Sequence, residues 1–306
     1  MGFNLEQLNL DLLKSLCELI HPSGKEAAMT TFIMNYCYKI EGITVEFDED
    51  WNLFITKNTT NPESFPCLVA HQDEILRYTG LKRVRIKGNK IYGYYVNNGK
   101  QCGLGLDDCF GIYICLHLLK TQPDLKICFT VQEEYGCLGA ETAALNIDFF
   151  DNCRYLIEPD RRGGSDLITR TNGLDVTSDE FLKDIDSLLE KYKYKEAIGT
   201  MTDIGTLKEN VNLSAINVSC GYYNAHTHAE YGNLTELQKC LNFINEVINN
   251  NDKIYPHTCK LRWHSSIKDD KYTLIADLED DTDYYNRLAD QCATCRDFDC
   301  ENCKLW

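Results

Sequence analysis

Five short stretches of this sequence place imidazole and carboxylate groups where metal-ion or acid–base chemistry can be done. They are His71-Gln72-Asp73, Asp107-Asp108, Glu133-Glu134, the Glu158-Pro159-Asp160 run, and His226-Thr227-His228-Ala229-Glu230. A His followed two residues later by Asp lets one bind a metal while the other orients it. Paired glutamates directly after the apolar run Ile127-Cys128-Phe129-Thr130-Val131 are costly to bury unless a cation or solvent meets them. One of such a pair can hold a metal while its neighbour takes a proton from water. Two histidines and a glutamate within five residues are a metal-binding pattern in their own right. Each stretch also has a plainer reading. Aspartates opening a helix are favoured by its dipole, strand-end glutamates can be solvated, and Arg161-Arg162 can pair with Asp160 at the surface.

In this reading all five stretches fall where a strand gives way to a loop, and Asp107-Asp108 also opens a helix. The short apolar run Pro66–Ala70 ends at His71, Leu125–Val131 leads into the glutamates, and Cys153–Ile157 leads into Glu158. Helical spacing marks residues 4–20, about 25–40, 107–119, 136–146, 178–192 and 234–250. Alternation marks a pair of strands around Asp50-Trp51 and a hairpin around Gly88-Asn89, and Leu213–Ser219 reads as a further strand. Buried strands alternating with helices predict an α/β three-layer sandwich, with a mixed, mostly parallel sheet between two helical layers. Ligands bind such sheets outside the strand ends.

Taken in order, His-x-Asp, Asp-Asp, Glu-Glu, Asp and His resemble the co-catalytic zinc exopeptidase superfamily (clan MH). This superfamily includes aminopeptidases, carboxypeptidases and N-acyl amino acid deacylases. The resemblance runs from Leu68 to Glu230. It implies two zinc ions, with His71 and Asp160 on the first, Glu134 and His226 on the second, and Asp107 bridging both. It implies Asp73 as the residue that orients His71, and Glu133 as the general base. Glu158 is the alternative to Asp160, and His228 to His226. Met201-Thr202-Asp203-Ile204-Gly205 resembles a segment near the substrate pocket, to which Thr202, Asp203 and Tyr223 are assigned. Cobalt or manganese also suits such an oxygen and nitrogen site.

The intervals depart from the larger branches of that superfamily. Between Asp160 and Thr200 there is no room for an inserted lid domain, and the stretch from Asp73 to Asp107 is too short for an added β-domain. The compact single-domain branch is therefore expected, with oligomeric state open. Phe110 stands where relatives carry a small residue, which predicts a narrowed pocket.

A catalytic domain over 1–251 is expected, followed by a charged extension over 252–306. That extension ends in Cys292-x-x-Cys295 and Cys300-x-x-Cys303, a four-thiolate array suited to one structural zinc, although the four-residue gap is short for a zinc ribbon. Loose thiols or an iron–sulfur site are the alternatives.

A net charge of −16 works against nucleic acid as a partner. No run approaches the ~20 apolar residues that a membrane span needs. The start, Met1-Gly2-Phe3-Asn4-Leu5-Glu6, has no basic end or apolar stretch, and Glu6 argues against myristoylation, so a cytoplasmic protein is expected. The 16 cysteines are then mostly reduced core residues. The functional expectation is an aminopeptidase or dipeptidase acting on peptides. An amidohydrolase acting on acyl-amino acids and a non-catalytic binding module are the alternatives.

Overall fold

The computed structural model describes residues 8–261. The fold opens with α1 (Leu10–Cys17) and α2 (Ala27–Cys37). Asn9 caps α1 by accepting the Leu12 amide at 3.1 Å, and Leu12, Leu13, Leu16 and Cys17 turn inward. A hairpin of β1 (Ile43–Phe47) and β2 (Leu53–Asn58) follows, then β3 (Phe65–His71), buried along its whole length. The next strands, β4 (Lys82–Lys87), β5 (Lys90–Tyr95) and β6 (Gln101–Cys102), leave the main sheet. α3 (Leu106–Thr121) crosses back to β7 (Asp124–Thr130), and a single 3-10 turn at Glu133–Tyr135 precedes α4 (Leu138–Ala143), α5 (Ile147–Phe150) and β8 (Cys153–Arg161). The chain continues through β9 (Asp166–Thr171), β10 (Leu174–Asp175), α6 (Asp179–Tyr192), β11 (Lys195–Gly199), α7 (Asp203–Leu207) and β12 (Ala215–Ser219). It closes with β13 (Tyr222–Tyr223), β14 (Tyr231–Asn233), α8 (Leu234–Asn250) and β15 (Lys260–Leu261).

The ten-stranded sheet runs β1-β2-β7-β3-β8-β12-β9-β10-β15, with β11 paired to β9. Its centre, β7-β3-β8-β12, is parallel throughout, while antiparallel pairs flank it on both sides. Alternation of side chains decides the layers. Leu68 and Ala70 of β3 face one core, shared with α1, α3 and α8. Cys67 and Val69 face the other, shared with α4, α5 and α7. The expected sandwich with helices on both faces is borne out, and its parallel centre is where apolar runs such as Asp124–Thr130 are covered on both sides.

A second sheet, β13-β14-β5-β4 with β6 on β5, joins segments more than a hundred residues apart. The sequence shows its hairpin but not its partners, because two- and three-residue strands carry no period. Residues 252–261 stay on the body. Tyr255 is buried against Phe181 and Tyr155, and β15 pairs with β10. The cysteines at 292, 295, 300 and 303 lie outside the described residues. Among those described, 12 cysteines are free thiols and all but Cys259 are buried, as expected of core residues. Burial pushes the Cys37 thiol up to about 12. No helix among the described residues is long and apolar enough to cross a membrane.

Candidate metal centre

Because β7, β3 and β8 are parallel neighbours, their C-terminal ends bring three of the stretches together. His71 is the last residue of β3, Glu133 and Glu134 form the turn after β7, and Asp160 lies near the end of β8. Asp107 enters from the start of α3, whose first residues follow Gly105 in the left-handed region at φ 67°. His226 arrives on the loop between β13 and β14, itself at φ 64°.

The His71 ring is fully buried. Its Nε2 lies 3.1 Å from Asp107 Oδ1 and 3.7 Å from Asp160 Oδ1, and its Nδ1 faces the Asp73 carbonyl at 3.1 Å. The Asp73 carboxylate accepts the amides of Glu133 at 3.0 Å and Glu134 at 3.2 Å, and the Ser23 hydroxyl at 2.6 Å. On the far side of Asp107, His226 Nε2 lies 3.3 Å from Asp107 Oδ2 and 2.7 Å from Glu134 Oε1. Three sets of donor atoms fall within 4.8 Å of one another: Asp107, Glu134 and His226; His71, Asp108 and Asp160; and His71, Glu133 and Glu134.

Five carboxyls against two imidazoles is an electrostatically uncomfortable set. Burial, then Asp107, raises Asp160 to about 8, and burial drives Glu133 well above its usual range and raises Glu134. Contacts with Asp107 and then Glu134 raise His226 to about 10. Burial works against charge on His71, yet Asp107, Asp160 and Asp73 still lift it well above its ordinary value. Asp108 Oδ2 is buried without a hydrogen-bond partner, while its Oδ1 accepts the Gly111 amide at 2.8 Å. A Cβ at position 111 would run into that carboxylate. Oxygen and nitrogen donors in excess of protein cations, with no thiol in any set, fit divalent ions.

Other expected site residues stand apart from these sets. His228 meets Tyr95 edge-on at 6.0 Å. Glu158 is buried one position pair below Asp160, bonded to the Thr202 hydroxyl and to Asn217 Nδ2 at 2.9 Å, and it belongs to none of the three sets. Asp203 accepts the Thr130 hydroxyl, and burial raises its pKa to about 6. Tyr223 gives its hydroxyl to Glu236 at 2.7 Å and stacks on Tyr231. Phe110 lines no opening: it is fully buried in the core, its ring against Gly232.

A frame that the sequence reading missed holds these loops in register. Glu230, four residues past His226, accepts the amides of Leu104, Gly105 and Leu106 at 2.6, 2.9 and 3.0 Å. Lys82 donates to the Leu104 carbonyl at 2.9 Å and pairs with Glu74 at 2.9 Å, both side chains buried. The loops carrying His71, Asp107 and His226 are thus tied to one another. Lys82 shares its parity in β4 with the inward Val84 and Ile86, and that was the available signal. Lys82→Met removes the lysine from a buried Glu74 that keeps the His21 amide and the Tyr78 hydroxyl, so chemical denaturation should show a loss of up to about 3–5 kcal/mol. Adding Glu74→Gln should recover much of that loss, and an unchanged midpoint in the single variant would count against the frame.

Comparison of the sequence with protein-family models and with curated proteins gives no match. Among solved structures, the aminopeptidase PepT from Bacillus cereus is similar, with a TM-score of 0.67 at 14% identity over 81% of this chain and 98% of that one. A tripeptidase from Staphylococcus aureus gives 0.66 at 14% identity over 81% and 98%. An aminopeptidase from the archaeon Desulfurococcus kamchatkensis gives 0.62 at 16% identity over 79% and 94%. The likeness to these solved structures lies in the fold, which this chain shares with the aminopeptidases and the tripeptidase named above over most of its length.

Proposed function

We propose that the chain is a two-metal aminopeptidase or dipeptidase. The carrying observation is Asp107, whose two carboxylate oxygens face two different histidines, His71 and His226. That geometry supports a bridging role. His71 and Asp160 would hold one zinc ion and Glu134 and His226 the other, with Asp73 orienting His71. When bound, two such cations supply Lewis acidity toward water and the amide carbonyl. Glu133, within reach of His71 and Glu134, accepts the proton from water and returns it to the departing amine.

The direct test supplies zinc, cobalt or manganese and compares short peptides with free and acetylated amino termini. Cleavage of the free-amine series alone is expected. A preference for acetylated substrates would move the reading to an amidohydrolase. Cleavage of neither, with less than one metal retained per chain, would sink the hydrolase reading.

Metal loading should also release protons. With its pKa near 10, His226 carries a proton at neutral pH in the metal-free chain, and only the neutral imidazole ligates. Apparent affinity should therefore climb with pH, by up to about tenfold per unit for one proton, and level off near pH 10. Calorimetry in two buffers of different ionisation enthalpy reads the release, and equal heats in both would contradict it.

A further inference from the structure

Charge is unevenly distributed along this chain. Residues 75–106 hold seven Lys or Arg and no Asp or Glu, although the whole chain carries −16. This stretch contains β4, β5 and β6 of the small sheet. Register puts Arg83 opposite Tyr94, Arg85 opposite Tyr92, and Lys87 opposite Lys90. Val84, Ile86 and Ile91 point the other way, into the core, so the outer face is an array of cations and tyrosines. Arg85 lies over the Tyr94 ring at 4.3 Å and Lys90 over Tyr231 at 3.7 Å, contacts that order the side chains without neutralising them. Arg83 shares Glu18 at 3.4 Å, but Arg85, Lys87 and Lys90 make no ion pair among the described residues.

The metal centre meets this sheet at its β13 end and from the inner side, since Tyr222 opposes Gly232 and Gly232 opposes the inward Ile91. A peptide therefore reaches the outer face by passing the loop that carries His226. On β13, the opposite edge of the same sheet, Tyr222 brings its hydroxyl 3.3 Å from Asp160 Oδ1, and β6 runs directly into the loop that carries Asp107. Four strands at a spacing of about 4.8 Å put β4 roughly 15 Å from β13. An extended peptide covers that distance in about four or five residues.

We propose that the outer face of the small sheet binds the acidic portion of a peptide whose amino terminus occupies the metal centre, so that substrates with acidic side chains several residues past the scissile bond are preferred. This rests on the aminopeptidase reading above. Part-buried tyrosine and exposed arginine are side chains that dominate binding surfaces, and a patch with an excess of cations on an acidic protein selects anionic partners by attraction while the remaining surface repels them.

The test uses the full chain loaded with zinc and three free-amine heptapeptides that share their first four residues and end in three Glu, three Ala or three Lys. At an ionic strength of about 0.02 M the Glu peptide should exceed the Lys peptide in kcat/KM by at least about tenfold, through KM, and the gap should close near 0.5 M. The triple variant Arg85→Glu/Lys87→Glu/Lys90→Glu should reverse the preference while leaving kcat for the Ala peptide unchanged. Equal cleavage of all three at low salt would overturn the proposal, and so would a preference that survives in the variant. A dimer of the wild type that the variant dissociates would assign the face to a second copy of the chain and overturn it as well. If no peptide is cut, the aminopeptidase reading fails, and fluorescence anisotropy of a labelled Glu peptide decides the surface separately. Salt-sensitive binding lost in the triple variant supports it, and no binding rejects it.

Discussion

Glu133→Gln is expected to cut kcat by about 10²–10⁴-fold, the range that a positioned general base contributes, while the metal content stays at the wild-type level. Gln keeps the shape of the side chain and removes only its ability to take a proton, so KM should move little. The same substitution should stabilise the metal-free protein. Burial raises the Glu133 pKa well above its ordinary value, so ionising it in the folded state is costly at any pH above the unfolded value, and a neutral amide removes that cost. An inactive variant that melts higher than its parent is a combination that a merely structural glutamate does not give. Steady-state kinetics, metal analysis and a melting curve taken on one preparation settle the point. Activity within tenfold of wild type would place the base elsewhere, with the buried Asp203 the next group to vary.

Asp107→Asn should be the most damaging change to metal binding. One residue faces both histidines, so its loss should weaken both ions together, by more than the 10–100-fold that follows removal of an outer partner. Titration with a competing chelator should show the two sites failing jointly, and one site left intact would argue that Asp107 does not bridge. The metal-free variant offers an independent check through pH. His226 has a raised pKa in the fold, and the Asp107 contact is the leading cause. Its contribution to stability is fully present below the unfolded value of about 6.5 and fades as pH rises through about 10. Wild type should therefore exceed Asp107→Asn most in mildly acidic solution, and the two should converge at alkaline pH.

The juxtaposition at the strand ends was legible because it needed only two inferences: that Pro66–Ala70, Leu125–Val131 and Cys153–Ile157 are buried strands, and that such strands lie side by side and parallel. The long helices and the hairpin around Gly88-Asn89 were legible for a similar reason, since each spans enough residues to show a period. What escaped was short or non-local. β9, β10 and β11 sit in a charged stretch whose alternation is broken by Asn172-Gly173 and by a bulge between Ala197 and Ile198. The pairing of β5 with β14 depends on three residues around Gly232. The Glu230 clamp and the Lys82–Glu74 pair are side-chain bonds across 125 and 8 positions, which no spacing rule announces. Phe110 misled because a bulky residue beside a ligand suggests a pocket wall, whereas its helix turns it toward Gly232 instead.

The burial of the thiols has a consequence for how the protein responds to metal. Folded, it hides all the described cysteines except Cys259, and a buried, protonated thiol does not compete for zinc. Unfolded, it presents 16 thiols on one flexible chain. On the two-metal reading proposed above, zinc is then a ligand of both states, and mass action stabilises the fold only by the difference between them. Scarce zinc should raise the melting temperature, while abundant zinc should hold the unfolded chain and slow its return. The dose–response of stability is thus expected to rise and then bend over, and a manganese titration, whose ion favours carboxylates over thiolates, should climb without the bend.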